Sequence, residues 1–586
     1  MNRLTFGLLL FVLAGFSCSS PNDQKVKDVM NRVVTQLYKT SSPGDLAKLT
    51  TDTVMKLFTD EELQTLATTH WSFDVNVPAV VSVMLSVKQK DVPFWLERNK
   101  FVKTDLHMKN EQTEYEVWQK TSDAGHVGLG VNSFDQGLGM HYFVSVAPKN
   151  KTDNLVLSNF FPENQFVGVL DNGAFTYHDW DELVLTDVPE QMKGEKLLTT
   201  MRGRTSESHL IGAFRTTDYP SSSKPDQVHL SWSSDPSPSV DIQWRTDTTV
   251  SACEVRYRIK GTAGEQAITA EKVRQEDRLL ANDRYVNFFT AKLRGLKPGT
   301  AYEYVVGKET GWVSPSGFTT ADSSDSFAFL WFGDTHFSPK FGELLQTAYK
   351  EHPDAAFYSI VGDLVSDGSF RNQWDDLLEY SKGVINNIPL MAVPGNHDNR
   401  AGLGAQLYRD QFSYPLNGPR GVPSEQTYSF TYKNALFLMI DATSPIDSQT
   451  MWIEQQLKDS KATWKIAMFH FPPYNWEEPY FNIQKAWGPL FDRYHADMVL
   501  GGHIHYYMRS KPMKEGKVVK SYNDGTAYII SVGIPTGPHD RTEEPYAQVR
   551  NGEGHLYQYV KIAGNKLEFK AVNGSGKVID SFEIRK

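Results

Sequence analysis

Five short apolar runs in the second half of the chain each stop at a glycine or an aromatic residue and then deliver an Asp, Asn or His. Phe327 to Phe332 runs into Gly333-Asp334-Thr335-His336, Ala355 to Val361 into Gly362-Asp363, and Leu390 to Val393 into Pro394-Gly395-Asn396-His397-Asp398. Ile466 to Phe469 ends at His470, and Met498 to Leu500 runs into Gly501-Gly502-His503-Ile504-His505. A single stop of this kind means little. Five of them, bearing two aspartates, one asparagine and four candidate histidine ligands in order, point to a metal centre. Imidazole mixed with carboxylate suits zinc, iron or manganese, whereas calcium takes a shell of oxygens.

Such residues need elements that bring them together. In an open α/β sheet ligands bind where strands end and loops begin, and glycine lets the chain turn sharply there and expose the next side chain. Between the runs lie helical patterns, Phe341 to Lys350, Gln373 to Ile385, Gln449 to Leu457 and Phe481 to Tyr494, and such alternation predicts βα units with helices outside a sheet. Leu556 to Ile562, Lys566 to Val572 and Val578 to Ile584 read as meandering strands that finish the domain.

The order GDxH, GDx, GNHD, lone His, GHxH resembles the calcineurin-like metallophosphoesterases. That resemblance implies an α/β domain (an α/β/β/α sandwich) over residues 327 to 586, holding two transition-metal ions (Fe, Mn or Zn). It assigns Asp334, His336, Asp363 and His505 to one ion and Asp363, Asn396, His470 and His503 to the other, with Asp363 bridging. Two cations about 3.5 to 4 Å apart lower the pKa of a shared water and absorb transition-state charge. His397 would then sit above the metals to stabilise or protonate, and Asp398 would orient His397. The implied activity is hydrolysis of a small phosphorylated substrate, monoesters ahead of diesters, with a cell-surface binding role for the N-terminal domains as the rival from another class. The second motif departs from the GDxxY of purple acid phosphatases, whose tyrosinate gives their colour. Ser366 stands at that position, which implies a colourless enzyme.

Other polar residues near these motifs carry less. Asp367 in Ser366-Asp367-Gly368 reads as a turn residue. His539 and Arg541 are candidates for phosphate binding, while Tyr474, Asn475 and Trp476, like Tyr506 and Tyr507, either contact a leaving group or pack a loop. His70, His107, His126, His141 and His178 have no ligand-like spacing and read as surface or core residues.

At 586 residues the chain needs several cores. A mild net charge of -10, with no long block of one sign, excludes a nucleic-acid footprint. Arg3, the apolar stretch from Leu4 to Phe16 and Cys18 resemble a lipoprotein signal over residues 1 to 18. Export to the periplasm, outer membrane or cell surface is expected, with a lipid anchor at Cys18 the only membrane attachment. Residues 24 to 218 read as an α+β domain of unnamed chemistry: Val26, Val29, Met30, Val33, Val34 and Leu37 have helical spacing, a second helical segment spans Leu46 to Leu66, and β-rich runs follow. Residues 226 to 320 read as an all-β sandwich. The segment from Leu293 to Tyr302 resembles the fibronectin type III corner, and its place before a phosphoesterase resembles the N-terminal domain of purple acid phosphatases. It is either a contributor to the site's mouth or a spacer. Tyr219 to Pro225 and Ala321 to Ser326 read as linkers.

Overall fold

The computed structural model describes residues 21–586 apart from 139, 164, 178–179, 309–310, 400–401 and 538–543. The chain divides into two compact units, Met1–Phe214 and Arg215–Lys586. His178, His539, Arg541 and the segment ending at Cys18 lie outside the described residues. No helix among the described residues is long and apolar enough to cross a membrane.

The first unit opens with the helix Pro21–Thr40, which buries Val26, Met30, Val33, Val34 and Leu37. The expected second helix is instead three short ones, Pro43–Leu46, Thr51–Met55 and Asp60–Thr68. Ser42, Thr50 and Thr59 each accept a backbone N–H three residues on and close a capping box, so the sequence restarts the helix rather than continuing it. An eight-stranded sheet, built around the pairing of Ala79–Ser86 with Glu114–Ser122 and Phe143–Pro148, and a three-stranded sheet complete the unit.

The second unit begins with a β-sandwich. One sheet orders Asp226–Ser231, Ser239–Asp247, Tyr285–Arg294 and Glu271–Glu276, and the other is built on Glu254–Ile259 and Ala301–Lys308. At its corner the Tyr302 hydroxyl accepts the Lys297 N–H at 2.8 Å. Neither polar connector is slack. Tyr219 gives its carbonyl to Arg245 and Ser221 bonds the Asp283 carboxylate, while Lys433 reaches across to Asp322, Ser324 and Ser326.

The remainder is two mixed sheets face to face with helices outside. The first sheet contains β1 (Ser326–Phe332), β2 (Ala355–Val361) and β3 (Leu390–Val393), mutually parallel, and extends from β1 through the antiparallel strands Leu556–Ala563, Lys566–Asn573 and Val578–Arg585. The second contains β4 (Trp464–Met468), β5 (Met498–Gly501) and β6 (Ala527–Ile530), also parallel to one another. Phe329 and Phe357 of the first sheet meet Phe437 of the second at ring separations of 5.3 Å, so both sheets share one aromatic core. Trp232 of the sandwich packs on Phe357 and Tyr432, extending that core into the neighbouring domain.

Helix α1 (Pro339–Glu351) starts at Ser338, whose side chain accepts the Lys340 N–H, and buries Phe341, Leu344, Leu345 and Ala348 at helical spacing. Helix α2 (Arg371–Tyr380) ends sooner than the pattern predicts, and the helical stretch from Phe481 breaks at Trp487, where Gly488-Pro489 starts a new helix.

Candidate metal centre

The two sheets touch where β1 ends: Asp334 bridges to Val532, just beyond β6. Gly333 makes the approach possible, because a Cβ there would lie 1.8 Å from the Ser531 carbonyl oxygen. The loops after β1, β2, β3, β4 and β5 therefore converge on one crevice.

Asp334 and Asp363 lie buried at its floor. His505 Nε2 is 3.2 Å from Asp334 Oδ2, and His336 Nε2 lies 4.0 Å from that oxygen and 3.8 Å from Asp363 Oδ2. On the other side of Asp363, His470 Nε2 is 3.2 Å from Oδ2 and 3.1 Å from Asn396 Oδ1. Ligand-type atoms group as Asp334, His336 and His505, as Asp363, His470 and His503, and as His336, Asp363 and His397, each set within 4.8 Å. The structure thus brings together all seven side chains singled out from the sequence, with Asp363 between two groups. His397 Nε2 stands 4.0 Å from Asp363 Oδ2, at the more open edge.

The glycines do something other than what the sequence suggests. Of the glycines at these strand ends only Gly362 uses a left-handed backbone, at φ 91°. A Cβ on Gly362 would lie 2.3 Å from His470 Nδ1, one on Gly395 2.2 Å from Asp363 Oδ1, and one on Gly502 2.4 Å from Asp334 Oδ1. Each glycine makes room for a ligand arriving from another loop. The left-handed backbone falls instead on the ligands His336, Asp363 and His503, at φ 42°, 51° and 67°. Such conformations cost roughly 1 kcal/mol or more apiece and gather at functional sites.

Electrostatically, the floor favours a cation. Burial alone would raise both aspartates, but His470 and its neighbouring imidazoles hold Asp334 and Asp363 below the usual carboxylate range. The reciprocal effect pushes His470 up to about 9 against its burial. Two buried carboxylates framed by imidazoles match the soft-nitrogen and oxygen donor set of zinc, iron or manganese.

One expectation is corrected. Asp398 does not orient His397: its carboxylate accepts the backbone N–H groups of Gly395, Leu364 and Val365, at 2.8 to 3.2 Å, and braces the loops carrying Asn396 and Asp363 against each other. Burial and the Asp363 charge raise its pKa. The reason is local: Asp398 turns inward while His397 turns outward, so His397 Nδ1 donates to the Ser366 carbonyl at 2.8 Å instead.

The less specific residues resolve as packing. Asp367 accepts from Ser369 in a turn, Trp476 stacks on Tyr506 at 3.5 Å, Tyr474 packs on Tyr528, Asn475 holds its own loop, and Tyr507 donates to Asp580. His70 and His141 form a buried pair, while His107 and His126 lie at the surface beside Glu114 and Asp74. Sequence reasoning missed Glu478, whose Oε2 lies 3.4 Å from His503 Nε2 while Tyr480 donates to Oε1. No spacing signal marks it, since it reaches His503 from an irregular loop.

Residues 327–507 match the calcineurin-like phosphoesterase family, and residues 225–320 match the N-terminal domain of purple acid phosphatases. An uncharacterised protein of Mycobacterium tuberculosis is 24% identical over 333 residues, covering 49% of this chain and 62% of that protein's length. Acid phosphatase type 7 of Mus musculus is 24% identical over 415 residues, 61% of this chain and 90% of the relative. Among solved structures, a purple acid phosphatase from yellow lupin seeds superposes with a TM-score of 0.53 at 13% identity, over 88% of this chain and 93% of that one, a likeness of fold. Over residues 225–320 and 327–507 the chain is thus similar to purple acid phosphatases and to calcineurin-like phosphoesterases, and the loops that carry the clustered Asp, Asn and His residues all lie within the second of these spans.

Proposed function

We propose that this chain hydrolyses phosphoric monoesters outside the cytoplasm with two transition-metal ions. The observation that carries the reading is the placing of Asp363 between two ligand groups, with His397 beside them. Asp334, His336, Asp363 and His505 would hold one ion, and Asp363, Asn396, His470 and His503 the other. Bound there, the ions supply an activated water and offset the charge on the phosphoryl oxygens.

The chain's own residues do the rest. His470 donates Nδ1–H to the Val361 carbonyl at 2.8 Å, which leaves Nε2 for the site. His397, its Nδ1 proton held by the Ser366 carbonyl, presents Nε2 to the crevice and, as imidazolium, can pass its second proton from Nε2 to the leaving alkoxide oxygen, ending as the neutral Nδ1-protonated ring. The likeness to acid phosphatases supports monoesters over diesters, and the apolar stretch before Cys18 supports export on a lipid anchor, which Cys18→Ser should abolish in a lipid-labelling assay.

With manganese or zinc added, the protein should cleave p-nitrophenyl phosphate faster than its bis ester, and Asn396→Ala should lose both activities. Preference for the bis ester would make it a diesterase. Metal binding without cleavage of either ester would favour a binding role at the cell surface.

A further inference from the structure

The loop between β2 and α2 places one small residue against two histidines at once. Ser366 Oγ lies 3.1 Å from His336 Nδ1, and the carbonyl of the same residue accepts His397 Nδ1–H at 2.8 Å. The two rings meet edge to face, their centroids 5.0 Å apart. Both aim Nε2 at Asp363 Oδ2, from 3.8 and 4.0 Å.

The backbone that carries Ser366 is itself fixed. Gln373, in the first turn of α2, accepts the N–H of Ser366 at 2.9 Å and of Asp367 at 2.8 Å through one side-chain oxygen. Gly368 N–H bonds the His397 carbonyl at 2.9 Å, which ties this loop to the one after β3. A carbonyl can only accept, so His397 must carry its neutral-state proton on Nδ1. A hydroxyl can accept or donate, so Ser366 Oγ holds the His336 ring with Nε2 toward the crevice whichever nitrogen carries the proton.

We propose that Ser366 is a positioning residue for both histidines, its hydroxyl holding the His336 ring in place and its carbonyl setting the tautomer of His397. The inference rests on the metal-centre reading for its purpose, but its geometry is independent of it. The two arms are also separable by mutation, because Ser366→Ala removes the hydroxyl and keeps the carbonyl.

Long-range proton–nitrogen correlations on full-length protein with labelled histidine, held in chelator, read the tautomers with no metal present. His397 should be Nδ1-protonated in the parent. Ser366→Ala should change the His336 nitrogen shifts and leave His397 unchanged, and Ser366→Thr should restore His336. In a competition titration with zinc, Ser366→Ala should weaken one equivalent by about tenfold, the scale of a lost partner to a metal-ligating histidine, and Ser366→Thr should recover it. A His397 ring that is Nε2-protonated in the parent, or His336 nitrogen shifts unmoved by Ser366→Ala, overturns the proposal. Failure of the parent to bind zinc would count against the metal centre alone, because the tautomer result stands without it.

Discussion

Two buried polar clusters in the second unit are built from different residue types. Where the sandwich meets α2, Arg245 pairs with Asp375 at 2.6 Å and Asp226 at 2.7 Å, Arg371 with Asp283 at 3.0 Å, and Arg215 with Asp277 at 2.8 Å. Guanidinium stays charged at any ordinary pH, so these carboxylates are neutralised by the fold itself. In the crevice, Asp334 and Asp363 face imidazoles, which give up a proton and offer a lone pair. The first cluster is a lock and the second a socket. The difference is legible from side-chain chemistry once the two are seen in space.

The contrast can be broken by exchanging the expected losses. Asp363→Asn should lower kcat/KM on p-nitrophenyl phosphate by about a thousandfold or more, some 4 kcal/mol of transition-state stabilisation. The chelated protein should melt only slightly lower than the parent, because His470, whose pKa Asp363 raises, can release its proton once that charge is gone. Arg245→Met should do the reverse. Taking the 2.6 Å guanidinium from buried Asp375 and leaving it only the longer ion pair with Arg371, at 3.5 Å, should cost about 3 kcal/mol, read in denaturant unfolding, while metal per folded molecule stays constant. If the aspartate variant unfolds and the arginine variant only loses activity, the distinction fails.

The first unit sharpens it with a smaller effect. His70 and His141 meet there through Nε2 at 2.7 Å, with Glu207 2.9 Å from His70 Nδ1 and Arg204 on Glu207. Imidazoles and a carboxylate are present, but Arg204 supplies the charge, so this cluster belongs with the locks. Burial raises Glu207, yet Arg204 and His70 outweigh it and hold the group below its ordinary value. Its contribution is therefore complete above the unfolded value of about 4.3 and is lost as pH falls below it. Between pH 5 and 3 the parent should lose stability more steeply than Glu207→Gln in full-chain unfolding curves, and equal slopes would remove Glu207 from the account.

The clustering of the candidate metal ligands could be read from sequence because each follows a strand end, where chain order translates into position. Asp398 was misread because adjacency to His397 along the chain says nothing about which way a loop residue turns. Glu478 and the pairing of Arg245 with Asp375 carried no local signal, since each depends on partners brought in by tertiary packing. The helical breaks at Thr50, Thr59 and Pro489 could have been found from capping chemistry, which apolar spacing alone does not register.

The three glycines seated against Asp334, Asp363 and His470 interlock the loops like keyed stones, each leaving a hydrogen's width for its neighbour's ligand. A cation entering the crevice would meet donors held close by the backbone itself, and would have to displace the proton that the two aspartates keep on His470.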